Sequence, residues 1–380
     1  MRNNVQVVDA VRKGKNSFSK KDIQRETGMA WGTMCKVVNS LLADGFIFAR
    51  KEEPVGRGRP MIPLCVNPET AFFIGLDIGA SQSKAVICDL AFNVVYRGVA
   101  STPKYKEEES FFSWLFGFYD DVLNESRIPH NKLSGIGLAV SGNVDTENGV
   151  IVSGGNFGIK WGTNLPAAER LGAHSGVAVF AVSTNSAAAW GEYNFGIGNG
   201  CGNLVTIGLG VGIGSGVVSN HHLLISQPGR PVGYIGHMLI PGNNHICTCG
   251  FRGCLESYSG GDYLAAVAKE QLPNNPELHS AHTLDQAAAN GYPAAIHIIS
   301  TAASYNAVGI ASMIQLYSPK VLIFSGGQCH KDGFLFNRTI DAINEILPVE
   351  RRQRVDFHVS NLGKYQSALG AARLAYEKFF

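Results

Sequence analysis

The chain has 380 residues, 45% of them hydrophobic, and a formal net charge of +2. That length allows two or three domains rather than one small core, and the near-neutral balance excludes a protein that is basic over its whole surface, so any nucleic-acid contact has to be local. The N-terminus carries no apolar core of signal-peptide length and no uninterrupted apolar segment is long enough to cross a bilayer, so a cytoplasmic protein without a membrane partner is the expectation.

The charge is concentrated at one end. The first 60 residues hold 12 Lys or Arg against 6 Asp or Glu, which leaves the remainder mildly acidic. "VQVVDAV" has the apolar spacing of a helix. "SFSKKDIQRETGMAWGTMCKVVNSLLADG" then has a helix-turn-helix layout: Ser19 caps a short helix, Gly28 permits the turn, and a second helix runs to Gly45. Ile23, Val37, Val38, Leu41 and Leu42 would form its core. "FIFAR" and "MIPLCV" read as strands flanking a basic tip, "KEEPVGRGRP", which completes a winged helix over residues 1–68. In that arrangement the second helix enters a major groove with Trp31, Gly32, Thr33 and Lys36 towards the DNA, while Arg57 and Arg59 reach phosphates or a minor groove. The competing reading is a winged helix that binds protein, its charges an ordinary solvated face.

From residue 69 the pattern becomes α/β. "FFIGLDIGASQSKAVICDLAFNVVYRGVAS" predicts three strands joined by two tight turns, the first carrying Asp77 with Gly79 behind it. Small residues there let backbone amides approach a phosphate, and Asp77 can hold Mg²⁺ through water. "NLVTIGLGVGIGSGVVSNHHLL" repeats strand, glycine turn and strand, and "SPKVLIFSGG" adds another strand ending in paired glycines. Two glycine turns on two halves facing one nucleotide describe a duplicated actin-like, ribonuclease H-like sugar-kinase architecture. Helices are expected at about 107–126, 185–195, 293–317 and 366–379. The lobes would span about 69–182 with the C-terminal helix, and 183–365.

"GHMLIPGNNHICTCGFRGCLESYSG" carries the most specific chemistry. His237, Cys247, Cys249 and Cys254 offer one imidazole and three thiolates, with Gly250 and Gly253 allowing a tight loop around a tetrahedral ion. A full set of four soft ligands favours a closed structural Zn²⁺. His245 competes with His237 for the fourth place.

Taken together, "GRGRP", "LDIGAS", "GLAVSGNVD", "NFGIKW", "IGLGVGIGSG", "GYIGHM" and "CTCGFRGCLES" make the chain resemble ROK proteins, named for repressors, open reading frames and kinases. The resemblance covers nearly all of the sequence. It implies that a member with an N-terminal winged helix is a transcriptional repressor of sugar-utilisation genes, and that one lacking it is a sugar kinase. The family's kinases use an Asn-Asp pair at a helix start, the Asp taking the proton of the sugar hydroxyl. Anchored on "AAAWGE", that pair falls on Ser183 and Thr184, and a register one residue on gives Asn185 and Ser186. Neither register supplies an acid, so the roughly 10²- to 10⁴-fold contribution of general base catalysis should be missing, and with it ATP and Mg²⁺ as working cofactors.

Other departures agree. The family's Glu-x-Gly-His sugar clamp reads Tyr234-Ile235-Gly236-His237, the Gly-Thr-Gly phosphate turn reads Gly210-Val211-Gly212, and Gly-Gly-Thr reads Gly79-Ala80-Ser81. Asn156, His237 and Glu256 match the family's sugar-contacting positions, although a loop cap, a zinc ligand and a helix-terminal carboxylate would also account for them. The expectation is a non-enzymatic repressor, a homodimer or homotetramer on an inverted-repeat operator, with Asn156, Thr184, Tyr234, His237 and Glu256 around a carbohydrate effector. An ATP-dependent sugar kinase with an accessory DNA-binding domain and a scaffold for a partner protein are the competing classes.

Overall fold

The computed structural model describes residues 3–50, 62–105, 107–153, 164–225, 232–242 and 244–380. The expected wing residues Arg57 and Arg59 and the candidate ligand residue Asn156 lie outside these.

The N-terminal module is three helices, α1 (Asn3–Lys13), α2 (Lys20–Thr27) and α3 (Trp31–Ala43), followed by the antiparallel pair β1 (Ile47–Ala49) and β2 (Leu64–Val66). Asp22 closes the start of α2, its Oδ2 accepting from both the backbone N–H and the hydroxyl of Ser19, at 3.0 and 2.7 Å. Gly28 ends α2 at φ +66, a left-handed conformation that suits glycine. Of the expected core residues, Ile23, Val38 and Leu41 are buried, whereas Val37 and Leu42 are partly buried at its edge, and Met34 takes the remaining place inside.

The body holds two five-stranded sheets. The first contains β3 (Phe72–Ile78), β4 (Gln82–Asp89), β5 (Val94–Ser101), β6 (Leu133–Val140) and β9 (Val179–Ser183) in the order β5-β4-β3-β6-β9. Between β6 and β9 lies a small antiparallel pair, β7 (Asn143–Asp145) and β8 (Val150–Ser153). The second sheet contains β10 (Leu204–Leu209), β11 (Ile213–Ser219), β12 (His222–Leu223), β13 (Val321–Ser325) and β14 (Asp356–Val359) in the order β12-β11-β10-β13-β14. In each, an antiparallel meander joins two parallel strands in the same sequence of pairings, the duplication that the repeated glycine turns imply.

Helices α4 (Glu108–Ser126) and α5 (Ala167–Ser175) supply the first half's crossovers. Helix α6 (Thr184–Phe195) follows β9, and the second half carries α7 (Glu256–Ser259), α8 (Gly261–Gln271), α9 (Ala281–Ala289), α10 (Pro293–Tyr317), α11 (Phe334–Ile346), α12 (Val349–Arg352) and the closing α13 (Gln366–Phe379). The expected helices at 293–317 and 366–379 are present; α5, α8, α9 and α11 were not anticipated. With 25 residues, α10 is long and apolar enough to span a bilayer, yet Ile298, Ile299, Ala302, Ala303, Ile310 and Ile314 bury it in the core of the second half.

Helix α13 crosses back to the first half and fits against backbone. A Cβ on Gly75 of β3 would overlap the Ala368 carbonyl and lie 2.8 Å from Ala372 N, and one on Gly137 of β6 would overlap the Ala371 carbonyl. The N-terminal module joins the same core: Val5, Val8, Val11, Ile47 and Leu64 pack in one apolar cluster with Phe73, Val86, Ala372 and Tyr376. Within it Asp9 of α1 receives both terminal nitrogens of Arg373, and it also accepts from the Tyr376 hydroxyl at 3.2 Å. Burial opposes ionisation of Asp9, but Arg373, backed by Arg12, outweighs it and holds the carboxyl below its ordinary range.

Candidate functional site

Between the two sheets lies a cleft of about 1330 Å³. Its walls are the places where both sheets end in turns: Gly79 to Ser81 after β3, Gly210 to Gly212 after β10, Gly326 and Gly327 after β13, and the first residues of α6. A cleft at the ends of the strands is where open α/β sheets take ligands.

The start of α6 is built as the sequence implies. Ser183, in extended conformation at the end of β9, is the N-cap, and its hydroxyl accepts from Ser186 N at 3.2 Å. Thr184 opens the helix and lines the cleft with Asn185. Asn185 lies over the β10–β11 hairpin, where a Cβ on Gly214 would meet its side chain. Among the described residues the carboxylates lining the cleft are Asp77, Glu256 and Asp262, and none belongs to α6. The corner between β9 and α6 therefore presents hydroxyls and an amide to the cleft and no carboxylate.

Asp77 has an unexpected partner. The β3–β4 register sets Lys84 opposite it, with Nζ 3.7 Å from Asp77 Oδ2, so an ammonium stands beside the carboxylate that could hold Mg²⁺ through water. Lys84 escaped the motif reading because cross-strand pairing, not spacing to a motif, brings it there; counting back through the turn would have found it. Burial pushes the Asp77 carboxyl up to about 6, against the pull of Lys84. A pKa above its unfolded value of 3.8 means that the stability Asp77 contributes is present below about pH 4 and lost as pH rises to about 6. Asp77→Asn is therefore expected to melt like the wild type at pH 4, to gain on it between pH 4 and 6, and to be more stable by up to about 2–3 kcal/mol above that. Parallel melting curves at pH 4 and pH 8 check the crossover.

On the opposite wall the four expected metal ligands converge. The donor atoms of His237, Cys247, Cys249 and Cys254 all lie within 4.8 Å of one another, with Cys249 Sγ 3.6 Å from Cys254 Sγ and His237 Nδ1 3.7 Å from Cys247 Sγ. Thiolates bound about 2.3 Å from a zinc ion stand about 3.8 Å apart, whereas a disulfide needs about 2.05 Å, so these residues fit a tetrahedral soft cation and not a bridge. Burial, with Cys249 alongside, pushes the Cys254 thiol up, so an arriving cation has to displace protons. The competing His245 is not in the cluster; its ring lies edge-on to Tyr258 and Tyr263 at 5.3 and 5.6 Å.

The metal loop also holds the other candidate ligand residues. Glu256 opens α7, and its Oε2 accepts from Ile213 N at 2.8 Å, which ties the loop to the first residue of β11. Tyr234 stacks obliquely on His237 at 5.4 Å, and its hydroxyl is buried without a hydrogen-bond partner. Burial and the charge of Glu256 both push that phenol up, so it stays a neutral donor. The expected residues Thr184, Tyr234, His237 and Glu256 thus line one cleft. The amides of Gln328 and Gln366, which the sequence did not single out, line it too, each with a buried polar atom left without a partner.

At the N-terminal end, α3 exposes Trp31, Gly32, Thr33 and Lys36 on one face while Met34, Val38 and Leu41 are buried on the other. Trp31 is 46% exposed, too much for a core aromatic and suited to an approaching surface.

The sequence profile of the ROK family matches residues 73–378. The chain belongs to the ROK family. Among ROK and related proteins, the xylose repressor of Bacillus subtilis (strain 168) is 23% identical over 372 residues, covering 96% of this chain and 93% of its own. The glucokinase of Streptomyces coelicolor is 26% identical over 320 residues, covering 80% of this chain and 97% of its own. The crystal structure of a ROK family transcriptional regulator, a homologue of the E. coli MLC protein, superposes with a TM-score of 0.81 at 21% identity, covering 99% of this chain and 97% of that one. The fold is thus a mixed α/β ROK sugar-kinase fold preceded by helices, with a Cys₃His cluster able to take a metal such as zinc.

Proposed function

We propose that the protein is a DNA-binding transcriptional repressor of carbohydrate-utilisation genes in the bacterial cytoplasm, sensing a sugar or sugar derivative through a ROK cleft that transfers no phosphate. The observation that carries this reading is the joining, in one chain, of an exposed helix face at Trp31, Gly32, Thr33 and Lys36 with an α6 start that has no carboxylate. The likenesses support it: the repressor match spans 96% of this chain, whereas the glucokinase match spans 80%, about what remains once the residues before β3 are set aside.

In this reading residues 1–68 bind an inverted-repeat operator, with Arg57 and Arg59 joining the α3 face, and 69–380 bind the effector and assemble a homodimer or homotetramer. Asn156, Thr184, Tyr234, His237 and Glu256 surround the sugar. Zn²⁺ on His237, Cys247, Cys249 and Cys254 holds the loop that carries Glu256 and does no chemistry. Effector binding shifts the population between lobe arrangements and so moves the two DNA-binding modules off operator spacing.

The glucokinase relatives favour one second reading, an ATP-dependent sugar kinase with an accessory DNA-binding module. A coupled ADP-release assay over hexoses, pentoses and N-acetylhexosamines separates the two. No turnover above background is expected, and rates of about 1 s⁻¹ or more, ordinary for an enzyme, would overturn the repressor reading. For the DNA side, selection from a randomised duplex pool is expected to enrich inverted repeats. On the enriched duplex, Lys36→Ala should weaken binding and reduce the slope of log K against log salt by about 1 per copy; an unchanged slope removes Lys36 from the interface.

A further inference from the structure

Three features bear on how the cleft and the DNA-binding module communicate. First, Gln366, the opening residue of α13, lines the cleft and is 4% exposed, and its amide Nε2 is buried with no hydrogen-bond partner. A buried unmet donor at the wall of a ligand cleft calls for an acceptor from the ligand. Second, α13 and α6 touch backbone to backbone. A Cβ on Gly370 would overlap the Ala187 carbonyl and lie 2.8 Å from Gly191 N, and one on Gly191 would overlap the Gln366 carbonyl. At these two glycines no side chain separates the helices, and small residues such as Ala187 and Ala371 fill the rest of the contact, so a shift at the cleft end of α6 carries α13 with it.

Third, the far end of α13 ends on α1. Arg373, 1% exposed, donates through both terminal nitrogens to Asp9 and through Nε to Glu377 Oε1 at 2.7 Å. The same Glu377 oxygen accepts from the Trp190 indole of α6 at 3.2 Å. Arg12 completes the cluster, 3.1 Å from Asp9 Oδ1 and with its guanidinium 4.8 Å above the Phe92 ring. A bidentate pair in an apolar setting is directional: it resists a change of angle between the helices that carry it, and it has few alternative arrangements.

We propose that α13 is the element that passes ligand occupancy to the DNA-binding module, with Gln366 as its ligand contact in the cleft and the Arg373–Asp9 pair as its hold on α1. This rests on the repressor reading for its biological meaning but not for its geometry. A ligand acceptor that engages Gln366 draws on the first turn of α13; the helix moves as a rigid body with α6, and Arg373 and Glu377 shift the angle at which α1 sits on the body.

The test uses the full chain in three forms: wild type, Gln366→Ala, and Asp9→Leu/Arg373→Met. The last replaces both partners of the bidentate pair with apolar groups of similar bulk, a change that proteins commonly tolerate, while Glu377 keeps the Trp190 indole and Arg12 its place over the Phe92 ring. D-xylose, D-glucose and N-acetyl-D-glucosamine serve as probes, with binding followed by titration, amide exchange measured in α1, and affinity measured for the pool-selected duplex. In the wild type, the sugar that binds is expected to change exchange in α1 by threefold or more and duplex affinity by about fivefold or more, the usual scale of allosteric coupling. Asp9→Leu/Arg373→Met should bind the sugar within threefold of wild type with no response in α1, and Gln366→Ala should bind it at least tenfold more weakly. An undiminished α1 response in the double variant, or wild-type sugar affinity in Gln366→Ala, overturns the proposal. A wild-type protein whose α1 responds to sugar but which binds no duplex keeps the relay and loses the repressor reading; one that binds duplex with α1 indifferent to sugar does the reverse.

Discussion

Cys254→Ser is expected to lower bound zinc from about one equivalent per chain to less than a tenth and to unmake the cleft wall from Tyr234 to Tyr258 while leaving both sheets folded. Cys254 is fully buried, and its neighbours anchor the loop on both sides: Leu255 N donates to the Met238 carbonyl at 2.9 Å, and Ile240 N to the Gly253 carbonyl at 2.7 Å. Ile240 and Leu255 anchor the two ends of the loop in the core of the second half, but the part between them exposes Ile246 and Phe251, so four ligands able to close on one ion would be what orders it. Without the ion its apolar contribution cannot offset the conformational entropy of ordering it, about 1–2 kcal/mol per residue. Glu256 then loses its fixed position against Ile213 N. The expected readouts are metal analysis, amide exchange over 233–258, and loss of any thermal shift by sugars. Cys201→Ser, at a half-buried thiol outside the cluster that donates to the Asn203 carbonyl at 3.2 Å, should keep its metal. Less than about half an equivalent of zinc in wild type purified without chelator, or a Cys254→Ser protein with wild-type exchange in the loop, would remove the metal from the account.

Much of the site was legible because its chemistry is local. The candidate metal ligands Cys247, Cys249 and Cys254 sit in one short loop, and the α6 corner announces itself by an apolar strand, a Ser cap and a run of alanines. The duplicated sheets could be read from two strand-turn-strand repeats, because alternation and glycine turns encode hairpins directly. What escaped was non-local. Gln366 reaches the cleft only because α13 returns across the first sheet, and Asp9 meets Arg373 from the opposite end of the chain, whereas Lys84, in the same hairpin as Asp77, was within reach by register. His237 was the expected fourth ligand, and what the fold adds is that its competitor His245 lies outside the cluster. Helices α5, α8 and α9 are short, with patterns that do not separate from loops by periodicity, whereas α11 buries Leu335, Thr339, Ala342 and Ile343 at helical spacing and was within reach of the sequence.

Gly370→Ala, a single methyl group, is expected to be among the most damaging substitutions available in the chain. In an exposed helix this change stabilises, by about 0.5–1 kcal/mol, because alanine restricts the unfolded chain and favours helix. Gly117, exposed on α4 with nothing within 4 Å of an added Cβ, should show that gain. At Gly370 the same methyl runs into the Ala187 carbonyl and lies 2.7 Å from Ala187 C and 2.8 Å from Gly191 N, all backbone atoms of a helix that cannot turn aside as a side chain can. Relief requires α13 to lift from α6, and α13 is held equally closely over Gly75 and Gly137 by the first sheet. The cost should reach about 3 kcal/mol or more, the upper range for overpacking, and lower the melting temperature by on the order of 10 °C. Paired melting of Gly370→Ala and Gly117→Ala tests this, since opposite signs are expected from identical chemistry. If Gly370→Ala melts within a degree or two of wild type, the two helices have slack between them, and a displacement at Thr184 need not be felt by Arg373. If it is strongly destabilised while Gly117→Ala gains, the contact between cleft helix and closing helix is as stiff as the transmission of a ligand signal to α1 requires.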